Sequence, residues 1–245
     1  MGIELHNELI EKNHYLWKRK PLLHTVYTEL YRAMSGHISA TQGKTVELGS
    51  GMGSIHEIIP ECIRTDLFPY PWIDQIENAY HLSFADNSLA NLLMTDVFHH
   101  LRYPGSALKE FYRVLAPGGR VIIMEPGMGL LGRLVYGVFH VEPIAWYKEI
   151  TWFPPDGWHG EDPDYYAAQG NATRIFVQKR FANRLADWKV VGVKQISALA
   201  YAASGGYSGP QLYPTAIYPL IKWIEKPLQL FPFLFTTRLI VVLEK

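Results

Sequence analysis

Cysteine is nearly absent from this chain: Cys62 is the only one in 245 residues. A single thiol cannot close an intrachain disulfide and cannot supply a cysteine-rich zinc site. A surplus of charge of either sign is also missing. There are 23 Lys and Arg against 23 Asp and Glu, and charged residues make up only 19% of the chain. A general grip on a phosphate backbone needs a basic surplus, so nucleic acid is not expected as a partner. No apolar run reaches the ~18 residues that a membrane span requires. The charge-poor stretch 195–221 is broken by Gly, Ser, Pro and Tyr. The opening Met1-Gly2-Ile3-Glu4-Leu5-His6 lacks the basic-then-apolar pattern of a secretory leader, so a cytoplasmic location is expected.

What is present is a globular composition, 48% hydrophobic, with a length that suits one domain, with or without an insertion. Helical spacing over residues 8–34 predicts one or two helices broken near Pro21. Thr45–Leu48 is a short strand running into Gly49-Ser50-Gly51-Met52-Gly53, and a short helix, Ser54 to Ile59, is expected before Pro60. Cys62–Thr65 is a second strand ending at Asp66, Gln75–Asn78 a weaker third, and Leu89–Phe98 an apolar run of buried-strand character. Leu108, Phe111, Tyr112 and Leu115 share one helical face. Pro117-Gly118-Gly119 ends that helix, and Arg120–Met124 is a fifth strand. Strand and helix thus alternate over residues 44–125, the pattern of a parallel sheet covered on both faces. Beyond Glu125 the pattern loosens. A helix over Arg174–Leu185, a strand over Val190–Ser197, an amphipathic helical insertion over 211–231 and a final strand over Arg238–Leu243 are expected.

A glycine-rich turn between strand and helix lets the backbone approach a ligand closely. Here the spacing is G-x-G-x-G, with Ser54 where a dinucleotide fingerprint wants its last glycine. Glu47 lies two residues before the first glycine, and Asp66 ends the next strand, where a carboxylate can accept both hydroxyls of a ribose.

The stretch Val46-Glu47-Leu48-Gly49-Ser50-Gly51-Met52-Gly53 resembles motif I of the class I S-adenosylmethionine-dependent methyltransferases. The resemblance continues in Asn78-Ala79-Tyr80-His81-Leu82-Ser83-Phe84-Ala85-Asp86-Asn87-Ser88, in Asp96-Val97-Phe98-His99-His100-Leu101, and in Glu110 to Gly119 followed by Glu125-Pro126. Those motifs lie close to the group that includes quinone-pathway and biotin-pathway enzymes. Residues 8–34, with His14-Tyr15-Leu16-Trp17, resemble the helical cap of some members. The resemblance implies a Rossmann-like, doubly wound α/β sheet of seven strands with an antiparallel last strand and helical insertions after strands five and six. It implies one methyltransferase domain over 1–245: a cap (1–43), a cofactor-binding core (44–125) and a substrate-side half with the final strands (126–245). It implies S-adenosyl-L-methionine as cofactor. Glu47 and the backbone of Gly49, Ser50, Gly51 and Gly53 would face its methionine half. Asp66 would hold the ribose, Leu67 and Ala79 would flank adenine, and Thr95 would lie near the sulfonium. Asn78 stands where the family has Asp, and its amide oxygen could still accept from the adenine amino group.

Methyl transfer from a sulfonium is an in-line displacement, so alignment and exclusion of water carry most of the work and no metal is expected. His100, after the fourth strand, is the candidate base. It follows Asp96 by four residues, the spacing of the active-site His in the similar phosphoethanolamine methyltransferases. Trp158-His159-Gly160-Glu161-Asp162 could form a lid or substrate wall with Trp158 and His159, or a plain solvated loop. His159, Glu161 and Asp162 could face a metal, but no second ligand cluster accompanies them. The apolar stretches 127–140 and 212–235 suit an apolar or lipid-linked small-molecule acceptor or a peripheral membrane contact, or else core, lid or dimer packing. The oligomeric state is not legible. Two rival functions are a family member that binds the cofactor without transferring methyl, and a nicotinamide-dependent oxidoreductase.

Overall fold

A computed structural model of the chain describes residues 3–140, 142–160, 165–207 and 209–245. Two helices open it, α1 (Ile3–Arg19) and α2 (Pro21–Ser35). They part at Lys20 because Pro21 has no N–H to donate backwards but suits the first turn of a new helix. The inner face of α2 buries Leu22, Leu23, Val26, Leu30 and Met34.

Seven strands follow: β1 (Lys44–Leu48), β2 (Ile63–Asp66), β3 (Gln75–Ile76), β4 (Leu89–Thr95), β5 (Leu115–Pro126), β6 (Lys189–Ile196) and β7 (Arg238–Glu244). They form one sheet in the order β3-β2-β1-β4-β5-β7-β6. β1 to β5 pair in parallel, and β7 runs antiparallel to both β5 and β6. This is the doubly wound sheet with an antiparallel last strand that the sequence implies. One face carries α3 (Pro104–Val114) with Ile150, Trp152, Ile175, Phe176 and Trp188; the other carries α2, α5 (Leu199–Ser204) and α6 (Tyr218–Leu228). α4 (Leu130–Val138) and α7 (Pro232–Phe235) pack on each other after β5 and before β7. A register shift between Val190 and Gly192 bends β6 against β7.

Three local expectations change. The helix over Ser54–Ile59 is a single tight turn, Ser54–Glu57, entered from Gly53 at φ 68° and stopped by Pro60. The helix over Arg174–Leu185 is two short turns, Thr173–Val177 and Ala182–Leu185, separated where Lys179 adopts φ 56°. β5 begins at Leu115 and not Arg120, because Leu115 already pairs with Leu89 ahead of the Pro-Gly-Gly bend.

Phe111 on α3 is fully buried. Replacing it by Ala should cost about 3–5 kcal/mol by removing a buried ring and leaving a cavity. Urea unfolding checks this, and a loss below about 1 kcal/mol would mean the α3 face collapses around the gap far better than a close-packed core does.

Candidate active site at the carboxyl edge of the sheet

The carboxyl ends of β1, β2 and β4 meet under the glycine loop. Gly49, Gly51 and Gly53 all take left-handed backbone, at φ 66°, 50° and 68°. A Cβ at Gly49 would also come within 2.5 Å of Val97 Cγ2, so only glycine fits there. The loop is tied down from beneath: Ser50 N–H donates to Thr65 O at 2.8 Å, and Gly51 N–H donates to Asp66 Oδ2 at 2.9 Å. Trp72 Nε1 donates to Gly51 O at 2.7 Å, and His14 of α1 stacks on the Trp72 ring. The cap closes over this edge. Trp17 and His24 both bond Glu57, Tyr31 OH lies 3.1 Å from Ser54 Oγ, and Lys20 Nζ donates to Gly206 O and Gly209 O.

Glu47 lies under the loop, 1% exposed, and its Oε2 has no hydrogen-bond partner among the described residues. Burial pushes its carboxyl up to about 8, with Asp66 adding to the rise and the Ser50 hydroxyl partly offsetting it. A buried acceptor left open beside a glycine cradle fits a ligand bearing an ammonium group. Asp66 Oδ1 accepts from Phe68 N–H at 3.2 Å, which holds the carboxylate at the loop mouth. Leu67 beside it is 40% exposed, an apolar side chain on offer at that mouth.

At the end of β4, Thr95 Oγ1 donates to Met34 Sδ of α2 at 3.3 Å. Asp96 follows at φ 58° and pairs with Arg238 Nη1 at 2.6 Å. Arg238 is fully buried, lies over the Tyr201 ring at 4.7 Å, and keeps Nε and Nη2 without partners among the described residues. Tyr27 joins Tyr31, Tyr201 and Tyr207 in one aromatic cluster between α2 and α5. Burial pushes all four hydroxyls up, so they stay protonated.

His99 and His100 occupy a tight turn after β4, Phe98–His100. His99 is buried, with Nδ1 2.8 Å from Glu125 Oε2 and Nε2 3.1 Å from Glu142 Oε2. Burial disfavours its charge, but the two carboxylates outweigh that and raise it to about 10. His100 donates through Nδ1 to Tyr166 O at 2.8 Å. Burial and the neighbouring His99 charge push it down to about 4. At neutral pH this imidazole is uncharged, with Nδ1 engaged by the Tyr166 carbonyl.

The 158–160 loop lies against the Asn78–Tyr80 segment. The Trp158 ring packs edge-on against Tyr80 and Tyr103, and Gly160 O accepts from Asn78 Nδ2 at 2.6 Å. Asn78 Oδ1 accepts from Tyr80 N–H at 3.0 Å, so both ends of this amide are engaged within the protein. It is turned toward the loop, with a single lone pair of Oδ1 left for a ligand. His159 is exposed, and Glu161 and Asp162 lie outside the described residues. Arg238, Glu142, Tyr27 and Trp72 carry no motif signal. Arg238 sits in an apolar strand run and Glu142 in an aromatic stretch, and only the fold brings either to this edge.

Residues 46–123 match the family described as methyltransferase domain. A 48-residue stretch is 42% identical to the ubiquinone/menaquinone biosynthesis C-methyltransferase UbiE of Haemophilus ducreyi, covering 20% of this chain and 18% of that relative. The match therefore spans less than a fifth of the curated relative's length. The fold is shared far more widely than the sequence. A SAM-dependent methyltransferase of Thermotoga maritima superposes with a TM-score of 0.55 at 17% identity, over 97% of this chain and 99% of that one. The geranyl diphosphate C-methyltransferase of Streptomyces coelicolor A3(2) gives 0.50 at 9% identity, over 90% and 80%.

Glu47 makes stability depend on pH. Its carboxyl is raised from 4.5 to about 8, so the stability linked to its protonated form is fully present below 4.5 and lost as pH climbs through 8. Glu47→Gln should match the parent at pH 4.5 and exceed it at pH 8 by roughly 4 kcal/mol. Thermal unfolding of both proteins at the two pH values checks this; an equal difference at both would show that ionisation plays no part.

Proposed function

We propose that this chain, whose residues 46–123 are a methyltransferase domain set in a class I fold, is an S-adenosylmethionine-dependent methyltransferase acting on a small acceptor with an apolar, lipid-like body. The observation that carries the proposal is the open, buried Glu47 oxygen beneath three left-handed glycines. Glu47 and the loop backbone of Gly49, Ser50, Gly51 and Gly53 would hold the methionine half. Asp66 would take the ribose hydroxyls, Leu67 and Ala79 would flank the base, and Asn78 Oδ1 would offer its remaining lone pair. Thr95 would face the reacting end. When bound, the cofactor supplies a methyl group on a positively charged sulfur, already activated for displacement. The chain's own share is to bind, align and keep water out, and the α1–α2 cap over the loop suits that task. The G-x-G-x-G spacing and the tight turn in place of a full helix after it disfavour a nicotinamide dinucleotide.

The acceptor side supports an apolar body with one oxygen to recognise. The tyrosine cluster supplies the apolar wall, and the unpartnered Nε and Nη2 of Arg238 are donors for such an oxygen. No helix among the described residues is long and apolar enough to cross a membrane. Yet α4 and its C-cap, α6 and α7 expose Leu134, Phe139, Leu220, Trp223 and Phe233. Such a surface suits shallow burial in the headgroup region, where a lipid-linked acceptor would be met.

Calorimetric titration with S-adenosylhomocysteine, with NAD as the parallel ligand, tests the cofactor. Binding of S-adenosylhomocysteine alone is expected, lost in Asp66→Ala. At a hundred times its dissociation constant the ligand should add about 2.7 kcal/mol of stability. Binding of NAD alone, or of neither, would defeat the proposal. Flotation with lipid vesicles tests the surface: the parent should float, and Trp223→Glu with Phe233→Glu should stay in solution. Equal recovery of both proteins in the lipid fraction would remove this face from the proposal.

A further inference from the structure

We propose that His99, His100 and Glu142 form a binding site for a divalent transition-metal ion of the zinc type, with a coordination position left open toward solvent. The argument rests on how the two imidazoles are oriented. The Nδ1 of His99 is bonded to the Glu125 carboxylate, and the Nδ1 of His100 to the Tyr166 carbonyl. A carbonyl oxygen can only accept, so Nδ1 of His100 carries the hydrogen and Nε2 of the neutral ring carries the lone pair. Both Nε2 atoms then turn to the same carboxylate: His99 Nε2 lies 3.1 Å from Glu142 Oε2, and His100 Nε2 lies 3.6 Å from Glu142 Oε1. One ligand atom from each of the three residues falls within 4.8 Å of the others. Two ligands held at about 2.0–2.1 Å from a tetrahedral ion stand about 3.3 Å apart, so the 3.1 Å and 3.6 Å separations already bracket that spacing, and the widest pair, within 4.8 Å, would have to close by up to about 1.5 Å.

The surroundings have the form that metal sites take. Ligating imidazoles characteristically give their other N–H to a carboxylate or a backbone carbonyl, and the ligating carboxylate is itself hydrogen-bonded. Here the carboxylate is Glu125 and the carbonyl is that of Tyr166. Glu142 Oε1 accepts from Tyr165 OH at 2.9 Å, and Oε2 accepts from Gln169 Nε2 at 3.0 Å. A hydrogen-bonded ion pair accounts for His99, whose Nε2 proton the entering ion would displace to solvent, but not for His100, whose Nε2 lone pair faces a carboxylate beyond hydrogen-bond reach. A cation between them removes that repulsion. Imidazole with carboxylate selects zinc and its neighbours over calcium or magnesium. His99 is closed off, whereas the side chains of His100 and Glu142 are 34% and 18% exposed, so an ion can enter and keep a water or another oxygen ligand.

The test uses the full chain, stripped with chelator and then titrated with Zn2+ by calorimetry and with Co2+ by visible absorption. Neither readout depends on methyl transfer, so it stands or falls apart from the function proposed above. One equivalent should bind, with the Co2+ spectrum of a nitrogen- and oxygen-ligated site. His100→Ala and Glu142→Gln should each weaken binding about tenfold or more, while His37→Ala leaves it unchanged. Absence of saturable binding to the parent overturns the proposal, as does equal binding by folded His100→Ala and Glu142→Gln. If both variants lose their circular dichroism, X-ray absorption on the zinc-loaded parent decides: two imidazoles in the scattering support the site, and none refutes it.

Discussion

The carboxyl edge of this sheet is held by an ion pair between fully buried Arg238 and partly buried Asp96, 2.6 Å apart. Removing a guanidinium from water is costly, and a single good contact must offset most of that cost. The geometry is correspondingly specific. Asp96 reaches Arg238 because it leaves β4 in a left-handed conformation, with its N–H on Met124 O of β5. Arg238 opens β7, which lies on the far side of β5. The pair therefore clamps three neighbouring strands at the end from which Thr95, the histidine turn and the tyrosine cluster all project. The same guanidinium faces Tyr201 of α5, so the substrate-side half is keyed to the cofactor-side half through one side chain.

The second constraint is the cap. α2 packs its apolar face on the sheet, and α1 and α2 together reach the glycine loop through residues on both sides of the Pro21 break. Glu57 receives two of these contacts, from Trp17 and His24, and the Gly206 and Gly209 carbonyls receive a third from Lys20. These are partly exposed polar contacts, each worth a kcal/mol or so.

The core of the fold was legible because its signals are local. The strand before Gly49, the acid at Asp66, the apolar face of α3 and the Pro-Gly-Gly bend each declare themselves within a dozen residues. The antiparallel β7 came from family resemblance, since nothing in an apolar run such as Leu239–Leu243 states a direction. The candidate site was legible only in part. Glu47, Asp66 and the glycines are fixed by the loop they belong to. Arg238 hides at the head of an apolar strand, and Glu142 follows a segment with no periodicity, so only the folded chain sets them beside Asp96 and His99. The base role expected of His100 rested on its place after the fourth strand and its spacing from Asp96. Spacing does not report burial or a neighbouring imidazolium, and those two set its proton affinity. Trp158 and His159 were singled out by composition alone, and only the folded chain shows this loop packing onto Tyr80 and Asn78.

The register shift in β6 bears on how the molecule behaves in a crowd. β3 and β6 are the two ends of the sheet, and an end strand presents unpaired backbone groups to any passing chain. β3 is only two residues long, too short to template a partner. β6 has eight residues and exposes Val190 and Val191, the composition that invites cross-strand stacking. The bulge at Val190–Gly192 twists it off a flat line, and Lys189 and Lys194 add like charges that would repel the same strand of another molecule. One extra residue in a strand thus keeps the sheet from being copied outward into an aggregate.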